Sequence, residues 1–140
     1  MTTAEVRDIV ESFDLLGDWD QRYQYLVELG ERMPVMPAPD KREENRVKEC
    51  MSVVHVAARQ DPQHPGRLVY YGDCDTAVIK GVVALLVGLF SGKTPQEVAE
   101  LDVDALFAGL HLEDHLSPNR HVGVYAIVDK MKGQARAIAG

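Results

Sequence analysis

The chain has 140 residues, 22 acidic against 15 basic, and a formal net charge of −7 at pH 7. This length suits one domain spanning 1–140, able to bury roughly two-thirds of its unfolded surface without a disulfide scaffold or structural metal. The acidic balance argues against broad attraction to nucleic acid or anionic lipid, and no apolar run reaches the about 18 residues of a membrane span, so a protein partner is expected instead.

The start of the chain lacks a basic and an apolar secretory region, and there are only 2 cysteines, so the expected location is cytoplasmic. There is no glycine-rich phosphate loop, no CxxC pair and no GxSxG elbow. Catalysis on a bound nucleotide is therefore not expected.

Thr2 and Glu5 form a capping box ahead of Val6, Ile9, Val10, Phe13 and Leu16 at helical spacing, and Gly17 ends that helix. Asp18 and Gln21 repeat the pattern before Trp19, Tyr23, Leu26 and Val27, the face of a second helix that stops near Gly30. These aromatics fall on the helical stripe and read as core, not as a cofactor box. Pro34, Pro37 and Pro39 impose an extended surface loop over residues 33–40. Residues 41–49 read as a charged, solvated and mobile approach to Cys50.

Residues 51–59 and 67–72 are strand candidates on either side of a Pro- and Gly-containing turn at 61–66. Folded as an antiparallel hairpin, they bring Cys50 and Cys74 to its open end. Asp75 is placed to N-cap the apolar segment 76–90, which sets Cys74 just before a helix N-terminus, where a thiol's pKa can fall. The plainer alternative is that both cysteines are small buried core residues. His55 shares a strand face with Val53 and Ala57 and reads as a hydrogen-bonded structural residue.

Residues 78–90 are apolar nearly all round, which predicts a central buried helix packed closely at Gly81 and Gly88. Thr94 and Glu97, with Pro95 between them, form another capping box. Short helices over 95–100 and 103–110, a connector at 111–116, and a last helix begun by Ser117 and Pro118 follow. Val122, Tyr125, Ala126, Val128 and Met131 are expected to face inward on that helix. No internal repeat or second domain is visible.

Several fragments follow one another between about residue 19 and residue 123. They are Trp19 with Tyr23 and Tyr25, Leu29-Gly30 then Met33-Pro34, Asn45-x-Val47-x-x-Cys50-x-Ser52-x-Val54, and Asp73-Cys74-Asp75. Ile79-Lys80-Gly81, Thr94-Pro95, and His115-Leu116-Ser117-Pro118-Asn119-Arg120 with Gly123 complete the series. In this order they resemble the SufE-like acceptors of sulfur from cysteine desulfurases.

The resemblance implies an α+β fold in which helices cover one face of a small antiparallel β-sheet, an architecture shared with the U-type (IscU-like) iron–sulfur scaffolds. It also implies that Cys50 accepts persulfide sulfur from a SufS-like cysteine desulfurase, stimulating that enzyme. The sulfur then passes to a downstream scaffold for iron–sulfur cluster assembly. Pyridoxal phosphate belongs to the desulfurase, and this chain would hold no cofactor or metal of its own. It would be a sulfurtransferase-type acceptor and activator more than a free-standing enzyme.

By the same resemblance, Arg120 matches an arginine near the active-site loop that stabilises the thiolate or meets the desulfurase. Asp73 and Asp75 match an acidic pair beside that loop, with helix capping the plainer role for Asp75. Persulfide transfer needs a thiolate, and an ordinary thiol with pKa near 8.5 is only about 3% ionised at pH 7. The chain departs from the family pattern at Glu49, usually glycine, at His55, usually tryptophan, and at Cys74, usually serine. The alternative reading is a U-type zinc or iron–sulfur site built from Cys50 and Cys74 with Asp73, Asp75 or His121. A third is a redox pair in which Cys50 and Cys74 close a disulfide.

Overall fold

The computed structural model describes residues 3–112 and 116–139. Thr2 of the first capping box and His115 of the resembling motif lie outside them. The described elements are α1 (Thr3–Leu15), α2 (Trp19–Arg32), β1 (Val54–Gln60), β2 (Leu68–Cys74), α3 (Ala77–Phe90), α4 (Pro95–Ala99), α5 (Val103–Gly109) and α6 (Pro118–Ala139). Short 3₁₀ turns at Ala38–Asp40 and Glu43–Asn45 break the proline-rich approach to β1. The architecture is α+β, as expected. No helix among the described residues is long and apolar enough to cross a membrane.

Asp18 opens α2 by accepting the Gln21 N–H at 2.8 Å, while Gln21 Oε1 accepts the Gly17 N–H at 3.2 Å. The helix runs to Arg32 and does not stop at Gly30. The reason is packing: a Cβ at Gly30 would stand 3.0 Å from the Gly81 backbone nitrogen, and one at Gly81 would stand 2.1 Å from the Leu26 carbonyl oxygen. These glycines let α2 and α3 touch backbone to backbone. Helix α3 is buried nearly all round and forms the centre of the core.

The hairpin pairs Val54 with Cys74 through to Gln60 with Leu68. Its turn is closed by Asp61 Oδ1, which accepts the Gln63 N–H at 2.9 Å, and by Gly66 at φ +84. Along β2, Leu68, Tyr70, Gly72 and Cys74 are buried while Val69, Tyr71 and Asp73 are half-buried, so one face carries the helices. A Cβ at Gly72 would meet Val83 at 2.6 Å, which shows how closely α3 lies on the sheet. Helix α6 is fastened to the same layer: the Tyr70 hydroxyl donates to the Met131 carbonyl at 2.8 Å, and Gln134 Nε2 donates to the Val56 carbonyl at 2.7 Å.

Thr94 and Glu97 make both halves of their capping box. Asp102, which the sequence reading left without a role, caps α5 by accepting from the Asp104 and Ala105 N–H groups. On α6 the buried seam is Gly123, Val124, Ile127, Val128, Met131 and Ala135. Val122, expected inside, is 60% exposed, because turning Gly123 and Val124 toward the core carries it outward.

Candidate functional site

The approach to Cys50 is solvated on its charged side chains but fastened along its backbone, against the expectation of a mobile segment. Asp40 is buried and forms an ion pair with Arg59 of β1, and its carbonyl accepts Asn45 Nδ2 at 2.8 Å. Arg46 forms a bridge with His55. Val47 is 0% exposed, and its N–H donates to the Val54 carbonyl at 2.9 Å. The Val47 carbonyl then accepts the Cys50 N–H at 3.3 Å, so the thiol stands at the end of a turn anchored to β1.

On the far side of Cys50 the chain is tied to the junction between β2 and α3. Strand β1 begins at Val54, not at residue 51, because residues 52 and 53 make these ties instead. The Ser52 and Thr76 hydroxyls meet at 2.6 Å. The Val53 N–H donates to Asp75 Oδ1 at 2.9 Å, and the Asp75 N–H donates back to the Val53 carbonyl at 3.2 Å. Asp75 is therefore a loop clamp and not the cap of α3. The residue before α3 is Thr76, and its side chain makes no capping bond.

Cys50 is half-buried in a cleft of about 320 Å³ whose wall includes Ser52, Thr76, Ser117, Asn119 and Arg120. Thr76 precedes α3, and residues 117–120 open α6. The N-terminal ends of two long helices thus border one thiol, and their dipoles favour negative charge there. Ser117 Oγ accepts the Arg120 N–H at 3.3 Å. The Arg120 guanidinium is exposed and joins no ion pair among the described residues. Gly123 seats the thiol from below, since a Cβ there would stand 2.9 Å from Cys50 Sγ. Met51 beside it is 81% exposed.

Cys74 lies behind this cleft, in the core. Burial pushes its thiol up to about 11; the Thr76 N–H, donating to Sγ at 3.4 Å, opposes this, and the charges of Asp75, Cys50 and Asp73 add to it. The expected lowering at a helix N-terminus is overridden, because the desolvation of a buried thiolate outweighs one N–H.

Asp73 stands opposite His55 on the other face of the hairpin and does not line the Cys50 cleft. It binds Lys41 at 2.9 Å and Lys80 at 3.5 Å. Burial pushes its carboxyl up, but the Lys41 and Cys74 N–H donors and the two ammonium groups hold it below the usual range. His121 lies in a separate cleft on α6, where its ring stacks on Tyr125 at 6.4 Å. Glu49 lines that second cleft too. The only positive φ at a non-glycine position among the described residues is at His111, so the glycine usual at position 49 is not needed for its backbone.

Among the described residues no three His, Cys, Asp or Glu side chains converge in a way that could hold a metal ion. Both cysteines are free thiols. Sequence reasoning placed none of Ser52, Ser117, Asn119 and Gly123 at the site, although all four stood in the resembling motifs and Ser117 was read as a helix start. Thr76 carried no signal beyond its place at a helix start.

A family profile described as "SufE: Fe-S metabolism associated domain" matches residues 7–135. Among solved structures, the solution structure of a hypothetical protein from Thermus thermophilus is similar over 100% of both chains, with 25% sequence identity and a TM-score of 0.76.

Proposed function

We propose that this chain, which belongs to the SufE family of Fe–S metabolism-associated domains, accepts sulfur on Cys50 from a cysteine desulfurase in the cytoplasm. Family membership ties it to iron–sulfur metabolism. The finer reading is that it stimulates a pyridoxal-phosphate desulfurase by relieving it of its persulfide and hands the sulfur to a downstream cluster scaffold.

The observation that carries this reading is the cleft itself: a half-buried thiol bordered by two helix N-termini and by Arg120. Such a site suits a group that must pass through an anion. The Cys50 thiolate attacks the outer sulfur of the partner's persulfide, forming a new S–S bond. The partner's own S–S bond breaks, its cysteine leaves as thiolate, and Cys50 carries the persulfide. One S–S bond replaces another and the transferred sulfur keeps its oxidation level, so no oxidant is needed. Arg120 and the helix ends hold the negative charge while the sulfur moves. The desulfurase's own pyridoxal phosphate releases the sulfur from cysteine; nothing in this reading asks the acceptor to bind it.

The test is intact-protein mass spectrometry after incubation with a cysteine desulfurase, pyridoxal phosphate and cysteine, with peptide mapping and metal analysis. Reducible sulfur on Cys50 of metal-free protein is the expected result, with stimulation of the desulfurase lost in Cys50→Ser. Full stimulation by Cys50→Ser, or stoichiometric zinc or iron with no sulfur on Cys50, would overturn the reading.

A further inference from the structure

Three short links join the two thiols. Cys74 pairs with Val54 in the hairpin, the Val54 carbonyl accepts the Val47 N–H at 2.9 Å, and the Val47 carbonyl accepts the Cys50 N–H at 3.3 Å. Thr76 bridges them a second way: it lines the Cys50 cleft, and its N–H reaches Cys74 Sγ at 3.4 Å. A charge on Cys50 is among those that raise the Cys74 thiol. Cys74 belongs to the buried core, and Cys50 packs against that core. A sulfur carried on Cys50 therefore has a second thiol close behind it.

We propose that Cys74 is a resolving thiol, which discharges a persulfide that Cys50 has not delivered, releasing hydrogen sulfide and closing a Cys50–Cys74 disulfide. The proposal rests on the reading of Cys50 as a persulfide carrier. Cys74, as thiolate, attacks the inner sulfur, the one bonded to the Cys50 Cβ. The bond between the two persulfide sulfurs breaks, and hydrosulfide leaves with the electron pair and takes up the proton that Cys74 gave up. The outer sulfur is the oxidant and is reduced to sulfide, so no external oxidant enters.

Attack on the inner sulfur is favoured over transfer of the outer one to Cys74. Transfer would leave an easily ionised persulfide buried beside the charges of Asp73 and Asp75, which oppose an anion at this position. The disulfide is neutral and suits a buried site. Closure needs Cα atoms within about 7 Å, and Cys50 lies on a turn outside the strand ladder, joined to it through the Val47 carbonyl.

The test loads the protein in two ways, with a desulfurase and cysteine, and with inorganic tetrasulfide alone, and follows wild type, C74S and C50S by intact mass, peptide mapping and released sulfide. The expected course in wild type is loss of the added sulfur atom, one equivalent of sulfide, and a linked Cys50–Cys74 peptide pair lighter by two hydrogens. C74S should keep its sulfur at least several-fold longer and form no linked pair. Equal persulfide lifetimes in wild type and C74S with no linked pair would overturn the resolving role while leaving sulfur acceptance intact. Tetrasulfide-loaded protein that resolves, alongside desulfurase that never loads Cys50, would uphold the resolving chemistry and sink the acceptor reading.

Discussion

Gly123 of α6 lies so close to Cys50 that a Cβ at position 123 would stand 2.9 Å from Sγ and 3.4 Å from the Cys50 Cα and Cβ. The thiol's seat is thus made by a missing side chain on a helix far away in sequence. Gly123→Ala should push the thiol out of its place, with an overpacking cost of about 1–3 kcal/mol. The expected signature is a changed alkylation rate at Cys50 and reduced sulfur uptake with the fold kept. Unchanged alkylation would remove Gly123 from the site.

Asp75→Ala removes the acceptor of the Val53 N–H. The loop after Cys50 should loosen, at a cost of about 0.5–1.5 kcal/mol for one hydrogen bond near solvent. Amide hydrogen exchange at Val53 is expected to rise by roughly tenfold for each 1.4 kcal/mol lost. If Asp75 were instead the cap of α3, the exchange change would fall on the first turn of that helix.

Because burial raises the Cys74 thiol from the ordinary range of about 8.5–9 to about 11, its titration bears on stability. Below pH 9 both folded and unfolded chains carry the proton, and the group is neutral to the balance. Between about 9 and 11 the unfolded chain gives up its proton first, so folding stability falls as pH rises through this window. Denaturation midpoints measured from pH 8 upward should decline more steeply in wild type than in Cys74→Ser. Parallel curves would show that Cys74 is not shielded.

Gly81→Ala would drive a Cβ to 2.1 Å from the Leu26 carbonyl oxygen, a backbone atom that cannot turn aside. A loss of about 3 kcal/mol or more is expected, read from urea denaturation. A neutral result would contradict the crossing of α2 and α3.

Arg120→Glu places a carboxylate where the cleft favours anions. Sulfur uptake on Cys50 should fall, and fall further than in Arg120→Ala, while the exposed position keeps stability within about 0.5 kcal/mol. Equal uptake by both variants and wild type would remove Arg120 from the reaction.

Local chemistry accounts for what the chain disclosed before folding. The capping pairs Asp18 with Gln21 and Thr94 with Glu97, the Asp61 to Gly66 turn, and the unbroken apolar run of α3 are all signals read from neighbours a few residues apart. The α+β class, the hairpin and the placing of both cysteines at its open end follow from those signals, and the ordered motifs pointed to the family.

What distance along the chain hides, packing decided. Gly30 looked like a helix stop and is a helix contact, because Gly81 from α3 occupies the space its side chain would fill. Asp75 looked like a cap and is a clamp, because Val53 comes within reach only after the hairpin closes. Cys74 was open to two readings, an activated thiol or a buried core residue, and the second holds, because desolvation depends on the whole core around it and not on the helix beginning beside it. The cleft around Cys50 exists only once residues near 50, 76 and 120 meet. Helix caps and turns are energies between near neighbours and can be read in order, whereas burial and close approach are properties of the folded chain as a whole.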